Sequence, residues 1–160
     1  QCDVGFGDIV TPESDHIEFP ALLDFPAPRL RSYPSYTVIA EKLEALVLLG
    51  EANSRMKDFY DLWFLSRNFE FDGDTLVAAI RATFTRRKTK LPESQPSALT
   101  KDFAKIKSVQ WNAFLKKSRL PHFEMSLAIE AIQCFAGAPL ACASRSEEFP
   151  KHWRPNAGWM

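Results

Sequence analysis

Ser54-Arg55-Met56-Lys57-Asp58-Phe59-Tyr60-Asp61-Leu62-Trp63-Phe64-Leu65 is the stretch whose reading decides the fold. Wound at about 100° per residue, Phe59, Tyr60, Leu62, Trp63, Phe64 and Leu65 surround nearly the whole circumference. A helix over roughly 55–67 is therefore expected to be largely buried. Ser54 is placed to cap it. Asp58 and Asp61 lie three positions apart and share one face. Carboxylates on a buried helix are costly unless they are paired or bind metal. Arg55 and Lys57 stand beside them, and the helix dipole favours an acid in the first turn. Two readings follow: a structural ion-pair network, or an active site.

The preceding segment also reads as helix, over 38–49, with Thr37 as its N-cap and Gly50 as its stop. Glu41, Glu44 and Glu51 cluster on one side, which marks a water-facing surface, while Ile39, Leu43 and Leu46 cluster on the other. Lys42 lies nearer the apolar side. Such a lysine either snorkels to water or directs a partly enclosed ammonium at phosphate. Before it, Pro12, Pro20, Pro26, Pro28 and Pro34 exclude helix over 11–36 and favour extended pieces, with short edge strands expected at 17–19 and 22–25. Residues 1–10 read as a strand with a bend at Gly5 and Gly7. Asp3 falls on the strand face opposite Cys2 and Val4, and Asp8 follows the bend. Isolated acids of this kind are most often turn or surface residues.

Downstream, Asp72 or Asp74 is expected to cap a helix over 75–86 that turns Leu76, Ile80 and Phe84 inward. A Pro/Ser-containing linker, 91–99, follows. Thr100 opens a helical stretch carrying Phe103, Trp111 and Phe114 towards residue 117. The last helix is expected over 125–135, ended by Gly137 and Pro139. The tail from 144 is irregular but aromatic, so it should pack onto the rest.

A length of 160 residues has room for one domain, or one with a small appendage. No run approaches the eighteen or so consecutive apolar residues that cross a bilayer, and no basic-then-apolar leader opens the chain. Cys2, Cys134 and Cys142 follow no metal-ligand spacing and read as reduced thiols. A cytoplasmic protein without a membrane partner is the expectation. Charge is uneven: residues 1–60 sum to 5 − 10 = −5, and 61–120 to 12 − 6 = +6. Arg86, Arg87, Lys88 and Lys90 form either a solvated helix surface or a phosphate-contacting patch. Residues 1–4 read as the inside of a strand, so the chain is expected to be a fragment lacking an N-terminal part.

Three separated strings together carry a resemblance: Asp3-Val4-Gly5-Phe6-Gly7-Asp8, Thr37-Val38-Ile39-Ala40-Glu41-Lys42-Leu43-Glu44-Ala45 and Ser54-Arg55-Met56-Lys57-Asp58-Phe59-Tyr60-Asp61-Leu62. In order and spacing they resemble successive motifs of the AbiEii/AbiGii nucleotidyltransferase toxin family. The tail 153–159 is similar to the aromatic ending of many members. The resemblance implies an α+β, mostly helical fold, with the end of a nucleotidyltransferase-type mixed sheet (1–36) followed by a helical bundle. That bundle would hold the Lys and Asp motifs (37–120) and a C-terminal helix with its aromatic tail (121–160). It implies Mg²⁺ and a nucleoside triphosphate, with Asp3 as a metal ligand, Lys42 holding the triphosphate, and Arg55 and Lys57 close by. Asp58 and Asp61 would act as base or position the acceptor. It further implies transfer RNA or another RNA as acceptor, and a cognate antitoxin. The Gly-Ser and Asp-x-Asp metal motif of the family does not occur together here, so this chain alone is expected to be inactive. The alternative is a non-catalytic helical module that binds RNA or a partner.

Overall fold

Prolines shape the first part of the chain, as its composition requires. The computed structural model describes residues 10–12, 15–21 and 24–160. β1 (Asp15–Glu18) and β2 (Arg29–Ser32) pair antiparallel, with Ile17 opposite Leu30, and the Phe19 N–H donates to the Pro28 carbonyl at 2.9 Å. The first expected edge strand overlaps β1. Of the second, expected at 22–25, residues 22 and 23 lie outside the described residues, while Asp24 and Phe25 lie in a bend and pairing resumes past Pro26 and Pro28, which have no N–H to give a ladder. The strand expected over 1–10, with Asp3 and Asp8, lies outside the described residues.

Among the described residues five α-helices follow: α1 (Ser35–Leu49), α2 (Met56–Asn68), α3 (Gly73–Arg87), α4 (Lys101–Lys117) and α5 (Met125–Arg145). α1 begins two residues earlier than Thr37, because the Pro34 carbonyl accepts the Thr37 and Val38 N–H groups. Thr37 is not the cap. Its hydroxyl instead exchanges hydrogen bonds with the backbone of Thr11, both at 3.0 Å. Gly50 ends the helix at φ 49°, where glycine is favoured. At α2 no side chain caps the N-terminus, and Asn53 Oδ1 accepts the Arg55 N–H in the turn before it. Asp72 caps α3 by accepting from Thr75, and Thr100 caps α4 by accepting from Phe103, both as the sequence indicates.

α5 is the hub, packed against α2, α3 and α4. By length and mean hydropathy (1.4) it could span a membrane, yet it forms the centre of this core. It also runs ten residues past the expected end at Phe135 and straight through Pro139. A proline in a helix leaves the carbonyl four residues earlier without its donor; here that is Phe135. The Trp159 indole N–H donates to this carbonyl at 2.8 Å while its ring stacks on Phe135 at 5.9 Å. At the far end Arg81 of α3 donates to the carbonyls of Cys142, Ala143 and Glu147, tying the end of α5 to α3.

The tail does pack. β3 (Phe71–Asp72), β4 (His152–Arg154) and β5 (Gly158–Trp159) form an antiparallel sheet in that order, with Trp153 between Phe71 and Trp159. Trp153 donates its indole N–H to the Ser66 carbonyl, one of the last acceptors of α2, at 2.8 Å. The architecture is thus α+β and mostly helical, and every strand pair among the described residues is antiparallel.

Trp159→Phe should keep the stacked ring but orphan the Phe135 carbonyl, costing about 1–3 kcal/mol. Pro139→Ala returns a backbone donor to that carbonyl. Urea unfolding of the four proteins should show the Trp159→Phe cost shrinking in the Pro139→Ala background; an equal cost in both would mean that Trp159 serves something else.

Candidate functional site

α1 buries Ile39, Leu43 and Leu46, which places Lys42 at the edge of the apolar face and against α2. It does not snorkel to water. Its ammonium lies 2.8 Å from Asp58 Oδ1 and 2.8 Å from Asp61 Oδ2, with the side chain 16% exposed. Asp58, 8% exposed, receives Arg55 Nε on its other oxygen at 2.9 Å. Asp61 Oδ2 also receives Lys57 Nζ at 2.7 Å. Local spacing supplies the outer pairs, since Arg55 and Asp58 are three apart and Lys57 and Asp61 four apart. The tertiary meeting of α1 and α2 supplies the inner cation. All five candidate residues of this region therefore form one cluster; Asp3 lies outside the described residues.

Burial alone would lower the Lys42 pKa, but the hydrogen bonds and charges of Asp58 and Asp61 outweigh it and hold the pKa above its ordinary value. The ammonium stays charged. With both oxygens on cations, Asp58 in this arrangement anchors Lys42 and Arg55. Arg55 and Lys57 are the accessible members, 59% and 74% exposed. Three cations against two carboxylates leave 3 − 2 = +1, a balance that suits an anion and repels Mg²⁺. No group of three His, Cys, Asp or Glu side chains suited to a metal occurs among the described residues. Asp72-Gly73-Asp74, an Asp-x-Asp by spelling, is spent on structure: Asp72 caps α3, and Asp74 Oδ1 accepts the Phe149 N–H at 2.6 Å.

The cluster opens onto a groove of about 600 Å³ between the start of α2 and α4, lined by Ser54 to Asp58 with Gln110, Ala113, Phe114 and Lys117. Gln110, Phe114 and Lys117 were given no role by the sequence reading, although their spacing of four and three places them on one helix face.

Two expectations are corrected. Glu44 is not on a water-facing side: it is 2% exposed and holds Arg87 at 2.9 Å and the Thr89 hydroxyl at 2.5 Å, because α3 packs across α1. Glu41 also pairs with Arg87, at 3.3 Å. Of the suspected phosphate patch, Arg87 is held by these glutamates and Lys90 pairs with Glu93 at 2.7 Å on the surface. α2 is not buried all round either. Phe64 is 43% exposed, since α4 and α5 cover only part of its circumference.

Two of the three strings that carry the resemblance to the nucleotidyltransferase toxins, one on α1 and one on α2, thus meet at Lys42, Asp58 and Asp61. The chain belongs to the AbiEii family: the family model described as nucleotidyl transferase AbiEii toxin, Type IV TA system, matches residues 1–129. That span contains Lys42, Arg55, Lys57, Asp58 and Asp61, and it ends within α5, so the aromatic tail lies beyond it. No curated protein and no solved structure matches the chain. Membership carries a nucleotidyltransferase role in a toxin–antitoxin system, and with it an antitoxin as partner.

Proposed function

We propose that this chain forms the phosphate-directing half of a nucleotidyltransferase toxin that moves a nucleotide from a nucleoside triphosphate to an RNA or other acceptor in the cytoplasm. The observation that carries the reading is the excess of cation at the Lys42–Asp58–Asp61 cluster, with Arg55 and Lys57 accessible at its edge. In the reaction an acceptor oxygen attacks the α-phosphorus, the bond to the pyrophosphate breaks, and the acceptor proton passes to a base. Arg55 and Lys57 meet the negative charge that grows on the departing pyrophosphate. Lys42 keeps Asp58 and Asp61 in register, and the greater exposure of Asp61, 23%, supports giving it the acceptor-orienting role. Asp3 is the residue of this chain that the resemblance assigns to Mg²⁺.

The test is growth inhibition by the complete toxin. Lys57→Ala, at an exposed position, should leave the melting temperature unchanged and lower nucleotidyl transfer roughly 10–100-fold. Asp58→Ala should abolish toxicity. Undiminished toxicity in both variants would remove the site assignment.

A further inference from the structure

The groove beside the cluster is lined by more than the cations a triphosphate would meet. Its lining is apolar at Met56, Ala113 and Phe114, cationic at Arg55, Lys57 and Lys117, and carries the Gln110 amide. The ionised groups on its wall sum to 3 − 1 = +2 when Asp58 is counted, and Asp58 is already bound to Lys42 and Arg55. Phe114 is half-buried, held from behind by Tyr60 at 6.0 Å and Trp111 at 5.8 Å, which fixes its ring as a platform. Positive charge continues along the helix. α4 carries five lysines against one aspartate, 5 − 1 = +4, in a chain whose net charge is zero. A fixed aromatic platform bordered by cations is how proteins hold a single-stranded nucleic acid without reading a duplex: a base stacks, and the flanking phosphates meet lysine and arginine.

We infer that this groove is the acceptor subsite, taking a single-stranded polynucleotide. One base lies against Phe114 within reach of the Gln110 amide, and the neighbouring phosphates lie on Lys117 and on Arg55 or Lys57. The inference rests on the nucleotidyltransferase reading and adds to it where the acceptor enters. Arg55 and Lys57 then stand between the two substrates, at the edge of the Lys42–Asp58–Asp61 cluster.

The experiment is fluorescence anisotropy of a short single-stranded RNA with the full chain, for wild type, Phe114→Leu and Lys117→Ala. Phe114→Leu keeps an apolar side chain, and Lys117 is exposed, so both variants should stay folded. Each is expected to weaken binding about tenfold, and Lys117→Ala should reduce the salt slope by about 0.7. Absence of binding, or binding unchanged in both variants, overturns the proposal. Polyglutamate bound as tightly as the RNA overturns it too, by showing a general surface for acidic proteins. ATP displacing the RNA from wild type in a Phe114-dependent way would assign the groove to the donor instead. Toxicity of the Asp58 variant judges the enzyme reading separately, since RNA binding in the groove is measured without catalysis.

Discussion

Lys42→Met is expected to lower stability by about 2–4 kcal/mol and to abolish toxicity together with it. Removing one side of a fully buried ion pair costs about 3–5 kcal/mol. Here the site is slightly open, and Asp58 retains Arg55 while Asp61 retains Lys57, so a loss at or just below the lower end of that range applies. For a domain of this size the loss corresponds to a melting temperature roughly 4–16 °C lower. A double-mutant cycle with Asp58→Asn isolates the pair: the double variant should be less destabilised than the sum of the singles. Simple additivity would show that the 2.8 Å contact carries no coupling.

The pH dependence has a definite sign. Because the folded pKa of Lys42 lies above its ordinary 10.5, its stabilising contribution is fully present below that value and is lost as pH rises through the folded pKa. The gap between wild type and Lys42→Met should therefore be constant from neutral pH to about 10 and narrow above it. Melting curves at pH 7 and pH 11 decide this, and a gap that widens in alkali would sink the account.

Gly73→Ala should be as damaging, for a reason of space. A Cβ at Gly73 would stand 2.3 Å from the Phe149 carbonyl oxygen and 2.8 Å from that of Lys151. Both are backbone atoms with little room to yield. The same approach allows the Gly73 N–H to reach the Lys151 carbonyl at 2.7 Å, and it docks the chain leading into β4 onto the start of α3. Overpacking of this kind costs about 1–3 kcal/mol and occasionally more; with two carbonyls opposed, the upper end is expected. Trp153 and Trp159 should loosen together, giving a red shift in tryptophan emission. Gly137 is the contrast. A Cβ there meets nothing within 4 Å, so Gly137→Ala, inside α5, should stabilise by roughly 0.5–1 kcal/mol. Equal effects at the two glycines would refute the steric explanation.

Much of this was legible in the chain because it is local. Asp72 and Thr100 as caps, Gly50 as a stop, and the inward row Leu76, Ile80 and Phe84 follow from spacings of three to seven residues, and each is realised. The same short spacings brought Arg55 to Asp58 and Lys57 to Asp61. Glu44 misled because a helix face that is polar by sequence is buried when another helix brings a cation to it, here from 43 residues away. Pro139 misled because its missing donor is replaced by an indole twenty residues further on. Neither event leaves a periodic trace.

Sequence by itself determined the helical α+β class, the family motifs, and the placement of Asp58 and Asp61 on one turn-spaced face, since these depend on residues that are neighbours along a helix. Only the tertiary structure decided that Lys42, sixteen residues before Asp58, sits between the two carboxylates. It also decided that Arg87 meets Glu41 and Glu44, and that α4 turns Gln110, Phe114 and Lys117 towards the cluster. The physical reason is that helical period fixes which side chains share a face, whereas the choice of the face it meets is made by the packing of the whole core.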